Sequence, residues 1–418
     1  MNMQGLSLDQ APPYKTPLFY YMIGVFYLIL FSISLLIYGQ TTEDRFYYES
    51  IAITHILTLG FFTHIMFGSL FQMVPVIIGE SYKNVAFRAK IILISLNIGI
   101  VSFVVSFLLD IKIFMHIAML FLVATLLYFS IYSFVTIYKT VDKNQTVKTF
   151  LTALVFLAMG AIFGLFSLLV HGGYIEDSKF GDIHFTFMIF GWIFLLLSGV
   201  AYKVIPMFYV AKEYPIFVKN YFYIITSVLL IAIAFTTAYH FNLVLNALKI
   251  LLAILSSSFA LITINILKNR KRKRVDTTVN LWYFSMLNLF IASIMWIVSI
   301  GFNLELGFSF GVVFGLGFIY ALINGMLYKI VPFLTWFHLS SAFIFDAEMS
   351  QVIKAKMMKI QFYIFVGSYI FFILALFYQP FLFVGATLFF ASSSLLLYNI
   401  INGYKYHNLL SQTNKIQG

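Results

Sequence analysis

Twelve apolar runs of about 20 residues or more occupy most of this sequence and leave it few ways to fold. A helix of ~20 apolar residues crosses a hydrocarbon core of ~30 Å, where each backbone polar group must bond within the protein. The runs lack the strict polar–apolar alternation that marks a membrane β-barrel. With 62% hydrophobic and 10% charged residues, the 418-residue chain also has too little polar surface for a water-soluble domain. The sequence therefore predicts an all-α polytopic membrane protein.

Twelve transmembrane helices are predicted from these runs. They cover residues 17–38, 51–78, 90–109, 113–138, 148–171, 183–206, 218–239, 242–267, 281–302, 307–332, 360–378 and 381–401. The loops between them differ in charge: 39–50 and 172–182 are acidic, whereas 79–90, 139–148 and 268–280 are basic. Because basic loops stay on the cytoplasmic side, both termini are expected there. The net charge of +11 is then a topology signal, and no nucleic-acid partner is expected.

A pattern of two glycines and a proline recurs in the second, sixth and tenth predicted spans. It reads HILTLGFFTHIMFGSLFQMVP from His55 to Pro75, TFMIFGWIFLLLSGVAYKVIP from Thr186 to Pro206, and VVFGLGFIYALINGMLYKIVP from Val312 to Pro332. We call this pattern the glycine–proline ladder. Its interval of about 130 residues equals four spans and predicts an internal threefold repeat. The repeats cover about residues 17–140, 148–268 and 281–402 of a single membrane domain, 1–418.

The ladder residues have simple structural interpretations. Small residues let membrane helices approach closely, so the glycines are expected at contacts between helices. A proline inside a helix removes one hydrogen bond and clashes with the preceding turn. The three ladder prolines are therefore expected to end or kink their helices.

Five of the eight histidines are expected near one membrane surface, the outer one. They are His55, His116, His171, His184 and His240. An ionisable side chain inside a membrane is a functional candidate, because its burial costs free energy. His55 and His184 occupy almost the same place in a repeated helix, which favours a role as metal or haem ligands. The chain has no cysteine, so thiolate ligands are excluded.

The remaining histidines of the membrane region are weaker ligand candidates. His116, His171 and His240 are interpreted as hydrogen-bonded residues at helix boundaries, and His64 as a packing residue near mid-membrane. In an α-helix each residue turns by ~100°, so the nine residues from His55 to His64 end half a turn apart. The two side chains are therefore expected on opposite faces.

Two lysines, Lys203 and Lys329, stand three residues before a ladder proline. Snorkelling of each side chain to the lipid headgroups accounts for them individually. Their repetition permits a second interpretation, in which they line an inner gate or bind an anion. The basic run 268–274 is interpreted as a topology anchor, with binding of anionic lipid or a partner as the alternative. Amides such as Asn288 and Asn324 are expected to bridge helices.

The ladder of the sixth span resembles the ligand-bearing tenth helix of haem-copper oxidase subunit I, particularly of the C-type oxidases and nitric oxide reductases. There a His-x-His pair precedes Leu-Gly-Trp, a second glycine, a tyrosine and a Val-Pro ending. This chain has His184, Phe190-Gly191-Trp192, Gly199, Tyr202 and Val204-Ile205-Pro206. His184 falls on the first histidine of the pair, and Thr186 replaces the second. In the second span His55 falls on the second histidine, and Ile53 replaces the first.

The resemblance implies twelve spans, three arcs of four helices, and ligands toward the outer face. It implies a haem, of b type, bound by His55 and His184. The expected setting is the cytoplasmic (inner) membrane of a prokaryote, with the lipid bilayer as surroundings and a cytochrome or respiratory subunit as partner. An enzymatic role, if there is one, would be that of an oxidoreductase.

Departures from the family pattern limit this inference. The oxidase copper site uses a histidine of the sixth helix and a His-His pair of the seventh, and this chain has no His-His pair. Copper binding and oxygen reduction are therefore not expected. The ladder also resembles that of NnrS-type membrane proteins of the nitric oxide response, without their His-Ala-His-Glu-Met signature. A haem-free transporter or channel on the same scaffold, and an assembly or sensor factor for respiratory cofactors, are the alternative functions.

Overall fold

The computed structural model describes residues 11–40, 44–177, 179–273 and 276–417. Within these ranges the chain forms helices and no strand. Twelve helices are long and apolar enough to cross a membrane, which confirms the predicted all-α polytopic fold. Labelled α1 to α12, they are Lys15–Tyr38, Tyr48–Ile78, Val85–Leu109, Lys112–Tyr138, Gln145–His171, Lys179–Tyr209, Ile216–Ala238, Asn242–Lys268, Thr277–Phe302, Gly307–Ser341, Ala355–Ala375 and Phe381–Gln417.

The helix ends follow local signals that the apolar runs do not contain. The side chain of Asn144 caps α5 by accepting a hydrogen bond from the backbone N–H of Val147 at 3.2 Å. Gly79 ends α2 in the left-handed conformation, with φ of 83°. The last helix extends beyond its predicted end at 401, because its final turns are polar and fall outside the hydrophobic signal.

The ladder prolines were expected to end or kink their helices, and the structure shows that two of the three lie close to a helix end. Helices α2 and α6 end three residues after Pro75 and Pro206, at Ile78 and Tyr209. Helix α10, in contrast, continues from Pro332 to Ser341. A proline within a membrane helix is tolerated where neighbouring helices and local helical adjustments satisfy the freed carbonyl group. Pro332 is buried in the protein interior, which is consistent with this tolerance.

The three ladder helices are the most buried of the twelve. In α2, α6 and α10, the most apolar 18-residue stretch has 83%, 78% and 83% of its residues buried inside the protein. The corresponding share in the other nine helices is 28–50%. The ladder therefore marks inner helices. The other helices leave half or more of their apolar windows facing the surroundings, as expected in a lipid bilayer.

One compact unit contains residues 91–273 and 289–306. It holds α4 to α8 together with most of α3 and the second half of α9. Helix α5 packs against α4 and α6, and α7 packs against α6 and α8. Helix α3 approaches α4 closely at Gly99, where a Cβ atom would lie 2.7 Å from Leu122.

The other compact unit contains residues 11–40, 44–90, 276–288 and 307–417. It holds α1, α2, α10, α11 and α12 with the first half of α9. Helix α1 packs against α2 and α12, and α12 packs in addition against α10 and α11. The two units do not follow the sequence repeats, because helices from the first and third repeats pack together in this unit.

Candidate histidine and polar sites on the ladder helices

Each ladder helix contains a π-helical segment at the same place in the pattern. These segments are Ile56–Thr63, Phe187–Phe194 and Gly311–Tyr320. Each begins within one residue of the start of its ladder, at His55, Thr186 or Val312, and includes the first ladder glycine. In a π-helix the N–H group bonds to the carbonyl five residues earlier, an arrangement that is rare and frequent at functional sites. Its threefold recurrence identifies these segments as the most distinctive part of the fold.

The first ladder glycine of each repeat lies against a side chain of the preceding helix. A Cβ atom added at Gly60 would lie 2.6 Å from Tyr27, and one added at Gly191 would lie 2.5 Å from Phe156. At Gly317 the corresponding distance, to Asn288, is 2.6 Å. No real Cβ atom fits at such distances. The prediction that ladder glycines allow close helix approach is therefore confirmed.

His184 lies against α5 and is oriented by it. Its Nδ1 atom is 2.8 Å from the carbonyl oxygen of Gly160. A carbonyl oxygen only accepts hydrogen bonds, so Nδ1 carries the proton and the neutral ring has its lone pair on Nε2. At Gly164 a Cβ atom would lie 2.9 Å from the imidazole, so the second glycine of α5 makes room for the ring. The imidazole is held in the tautomer in which histidine binds metals through Nε2.

His55 and His64 also use Nδ1 to bind a backbone carbonyl group. The Nδ1 atom of His55 is 2.7 Å from the oxygen of Ile51, and that of His64 is 3.1 Å from the oxygen of Leu59. His55 is half-buried, whereas His64 is fully buried beside the ring of Tyr27. The packing role predicted for His64 agrees with this position.

The predicted half-turn separation of His55 and His64 depends on the type of helix between them. It assumed an α-helix, but the eight residues between them are π-helical. A π-helix has a wider turn, so each residue turns through a smaller angle. The half-turn that an α-helix would give over nine residues therefore does not apply to this segment.

The weaker histidine candidates lie at helix ends, as expected. His171 ends α5, and its Nδ1 atom is 2.9 Å from the oxygen of Ser167. In the first turns of α4, the Nε2 atom of His116 is 2.6 Å from the hydroxyl of Tyr174. His240 follows α7 in the left-handed conformation, with φ of 59°. These contacts fit the predicted boundary role.

The structure places His55 and His184 in different compact units. His184 belongs to the unit that contains residues 91–273, and His55 belongs to the unit that contains residues 44–90. Throughout the described part of the chain, no three histidine, aspartate or glutamate side chains come together as a metal site. One surface cleft of about 490 Å³ lies between α7 and α8, beside Val228 and Phe235. Another of about 490 Å³ lies at the start of α3, beside Phe87. No histidine lines either cleft.

The two repeated lysines have different environments. Lys203 is exposed, which agrees with snorkelling. The Nζ atom of Lys329 instead lies 2.6 Å from Oδ2 of Asp276, with 22% and 26% of the two side chains exposed. Asp276 also accepts hydrogen bonds from the backbone N–H and hydroxyl of Thr278, at 2.9 and 2.8 Å. This carboxylate thus caps the start of α9 and pairs it with α10.

We expect Asp276→Asn to lower stability at neutral pH by about 1–2 kcal/mol, because Lys329 loses its charged partner. Burial alone would raise the pKa of Asp276, but the charge and hydrogen bonds of Lys329 and Thr278 hold it below its usual 3.8. The stabilisation is therefore present above that pH and is lost as the pH falls through the lower folded pKa. Thermal unfolding in detergent from about pH 7 to about pH 3 should show the two proteins converging.

The matched control is Glu213→Gln, which removes an exposed carboxylate 2.6 Å from Lys219. Such a surface pair contributes little, so this change should leave the unfolding temperature nearly unchanged. Equal effects of the two substitutions, or a constant difference across the pH range, would contradict the assigned role of Asp276.

A cluster of aromatic and histidine rings joins α1, α10 and α12. The ring of Tyr14, just before α1, stacks on His407 at a centroid distance of 3.9 Å and meets His338 edge-on at 5.5 Å. Its hydroxyl is 3.0 Å from that of Thr335. Burial raises the pKa of Tyr14 to about 12, so it stays neutral. This cluster is not predicted by the sequence, because no periodic signal relates residues so far apart in the chain.

Buried amides form a second polar feature between α10, α11 and α12. Asn324 donates a hydrogen bond to Oε1 of Gln361 at 3.1 Å. Gln361 donates in turn to the hydroxyls of Ser392, at 2.9 Å, and Tyr320, at 3.3 Å. The prediction that Asn324 bridges helices is confirmed. Its partners were missed, although polar residues within the apolar runs of α11 and α12 were a usable signal.

We expect Gln361→Leu to destabilise the protein by about 1–3 kcal/mol, since buried partners would lose their hydrogen bonds. Leucine is close in size to glutamine, so the loss would report the polar contacts. Thr387→Val on α12 is the control, because this exposed hydroxyl bonds to Phe383 of its own helix. Denaturation of both variants in mixed detergent would measure the difference. An unchanged Gln361→Leu variant would show that the network is not stabilising.

The sequence matches no protein-family model, and no curated protein matches it significantly.

Proposed function

We propose that this protein is a haem-binding membrane protein of the haem-copper oxidase-like superfamily, acting in respiratory electron transfer or the nitric oxide response. His184 and His55 are the residues proposed to hold haem of b type. The proposed location is the cytoplasmic membrane of a prokaryote, with both termini inside and a cytochrome or respiratory subunit as partner. Support comes from the twelve apolar helices, the repeated ladder and the geometry of the ligand candidates.

The hydrogen bond from His184 to Gly160 carries this proposal. It leaves the lone pair on Nε2 and fixes the ring against α5, where the imidazole is oriented before any ligand binds. Metal-binding histidines commonly donate their other N–H group to a backbone carbonyl in this way. His55 has the same arrangement through Ile51. The donor chemistry of both residues therefore fits haem iron.

Phenylalanine rings of α5 and α6 pack on one another in the segments close to His184 in the chain. The ring centroid of Phe163 is 5.5 Å from that of Phe187 and 6.2 Å from that of Phe180. Apolar side chains of this kind lower the local dielectric, a condition that shifts the potential of a redox group. Haem bound by such imidazoles would supply one-electron redox chemistry.

A reduced-minus-oxidised absorption spectrum of the purified protein, with iron and copper analysis, tests the proposal. Expression should be in cells supplied with haem. A Soret band and a sharp low-spin band, with iron and without copper, are the expected result. Protein that is monodisperse but lacks both iron and a Soret band would overturn the proposal.

A second candidate function is haem-free transport or conduction on the same scaffold. The ion pair of Lys329 with Asp276 favours it, because charged residues within membrane bundles often mark ion pathways. Lys203 occupies the same ladder position in α6. Proton and anion flux into vesicles should fall in Lys203→Met and Lys329→Met if these residues line a path. Unchanged flux in both variants would mean that Lys203 only snorkels and that Lys329 only forms its ion pair.

A further inference from the structure

A basic surface lies where α6, α7 and α8 end or begin in the first unit. Its exposed cations come from the ends of α6 and α8 and from the loops that follow these two helices. They are Lys203, Lys212, Lys268, Lys271, Arg272 and Lys273. Within residues 203–221 and 268–273 the sequence contains one acidic residue, Glu213.

That acidic residue is matched by a further lysine. Oε2 of Glu213 lies 2.6 Å from Nζ of Lys219, and this contact lowers the pKa of Glu213 below its usual 4.5. The pair is therefore charged at neutral pH and contributes no net charge. The six exposed cations remain in excess, so the surface favours an anionic ligand.

The two loops form one surface rather than two separate ones. The backbone N–H of Lys271 donates a hydrogen bond to the carbonyl oxygen of Val210 at 3.0 Å. Val210 ends α6 in the left-handed conformation, with φ of 51°. Arg270 also holds the loop, through a 2.9 Å hydrogen bond to the oxygen of Leu267. Cations from both segments are thus brought to one place.

An exposed apolar edge adjoins these charges at the start of α7. Ile216 is 73% exposed and Phe217 is 66% exposed. The ring of Phe217 packs on that of Tyr221, with centroids 5.0 Å apart. Aromatic residues next to cations are typical of the membrane interface, where one end meets acyl chains and the other meets headgroups. A nucleic acid or an acidic soluble protein would not account for the exposed isoleucine.

We infer that this basic–aromatic surface is a binding site for anionic phospholipids. The phosphate groups lie among the cations of the two loops, and the acyl chains pass beside Ile216 and Phe217. The site goes beyond the topology role of a basic loop, because it selects headgroups by charge. Lipid binding at this surface does not depend on haem, so its test is independent of the test of the proposed function.

Native mass spectrometry of the purified full-length protein with phosphatidylglycerol tests the inference. The triple variant Lys271→Gln, Arg272→Gln, Lys273→Gln should retain about one third or less of the phosphatidylglycerol that the parent retains. Its retention of phosphatidylcholine should equal that of the parent. The matched control carries Lys354→Gln, Lys356→Gln and Lys359→Gln. It loses the same charge from the other unit and should retain the lipid.

Equal retention by the parent and both variants, or equal loss in both variants, would overturn the site. Stronger displacement of the lipid by a short oligonucleotide than by added phosphatidylglycerol would also overturn it. Because the chain has no cysteine, Gln412→Cys provides a single labelling position for confirming that the triple variant keeps its topology. If that variant does not fold, the parent alone decides: phosphatidylglycerol retention should fall from about 50 to about 500 mM salt, and constant retention would refute the inference.

Discussion

Gly317→Ala is expected to destabilise the protein by about 1–3 kcal/mol, since an added Cβ atom overpacks a closely fitted helix contact. That atom would lie 2.6 Å from both Cγ and Oδ1 of Asn288. Asn288 cannot simply turn away, because its Oδ1 atom accepts a hydrogen bond from the hydroxyl of Tyr369. The substitution would therefore separate α9 from α10 or break the bond to α11. A thermal melt in detergent, supported by denaturant titration, would measure the loss.

Gly315→Ala is a closely matched control for this prediction. It lies in the same π-helical segment, but a Cβ atom at Gly315 would have no other atom within 4 Å. Alanine also restricts the unfolded chain more than glycine does, so this variant should be neutral or up to about 1 kcal/mol more stable. Equal destabilisation by both substitutions would mean that the π-helical backbone itself requires glycine. That outcome would contradict the packing explanation.

His184→Ala is expected to reduce bound haem by about tenfold or more, because the variant lacks the imidazole nitrogen that would bind iron. The Soret absorbance per protein and the iron content would both fall. His171→Ala is the control: it removes a histidine of the same unit that also binds a backbone carbonyl through Nδ1. Haem content of this variant should stay near that of the parent.

The fold of the His184→Ala variant needs an independent measure, such as circular dichroism and gel filtration. A folded His184→Ala protein with full haem content would exclude His184 as a ligand. If that protein does not fold, Gly164→Ala offers a second route. Its Cβ atom would lie 2.9 Å from the His184 ring, so the spectrum should shift while the ligand is retained. An unchanged spectrum in folded Gly164→Ala would also count against His184.

Much of the fold was predictable, because membrane spans are encoded by local composition. The twelve predicted spans correspond one to one with the twelve helices. The ladder also predicted which glycines allow close helix contacts, and the structure finds such contacts at Gly60, Gly191 and Gly317. Hydrophobic length and small-residue spacing act within a single helix, so both can be read without knowing its neighbours.

The candidate sites were less predictable, since they depend on local geometry and on helix pairing. The half-turn expected between His55 and His64 assumed an α-helix, whereas the residues between them are π-helical. The hydrogen bond between His184 and Gly160 joins two helices, and only their packing determines the ring's tautomer. The stacking of Tyr14 on His407 depends likewise on α1 lying beside α12.

The sequence by itself determined the all-α membrane class, the number of helices and the positions of the three related ladder helices. These features follow from hydrophobic length and from glycine spacing, both of which are local properties of the chain. Tertiary structure decided which carbonyl oxygen His184 binds and which carboxylate pairs with Lys329. These partners come from distant parts of the chain. They meet because a buried polar group must be satisfied by whichever helix packs against it.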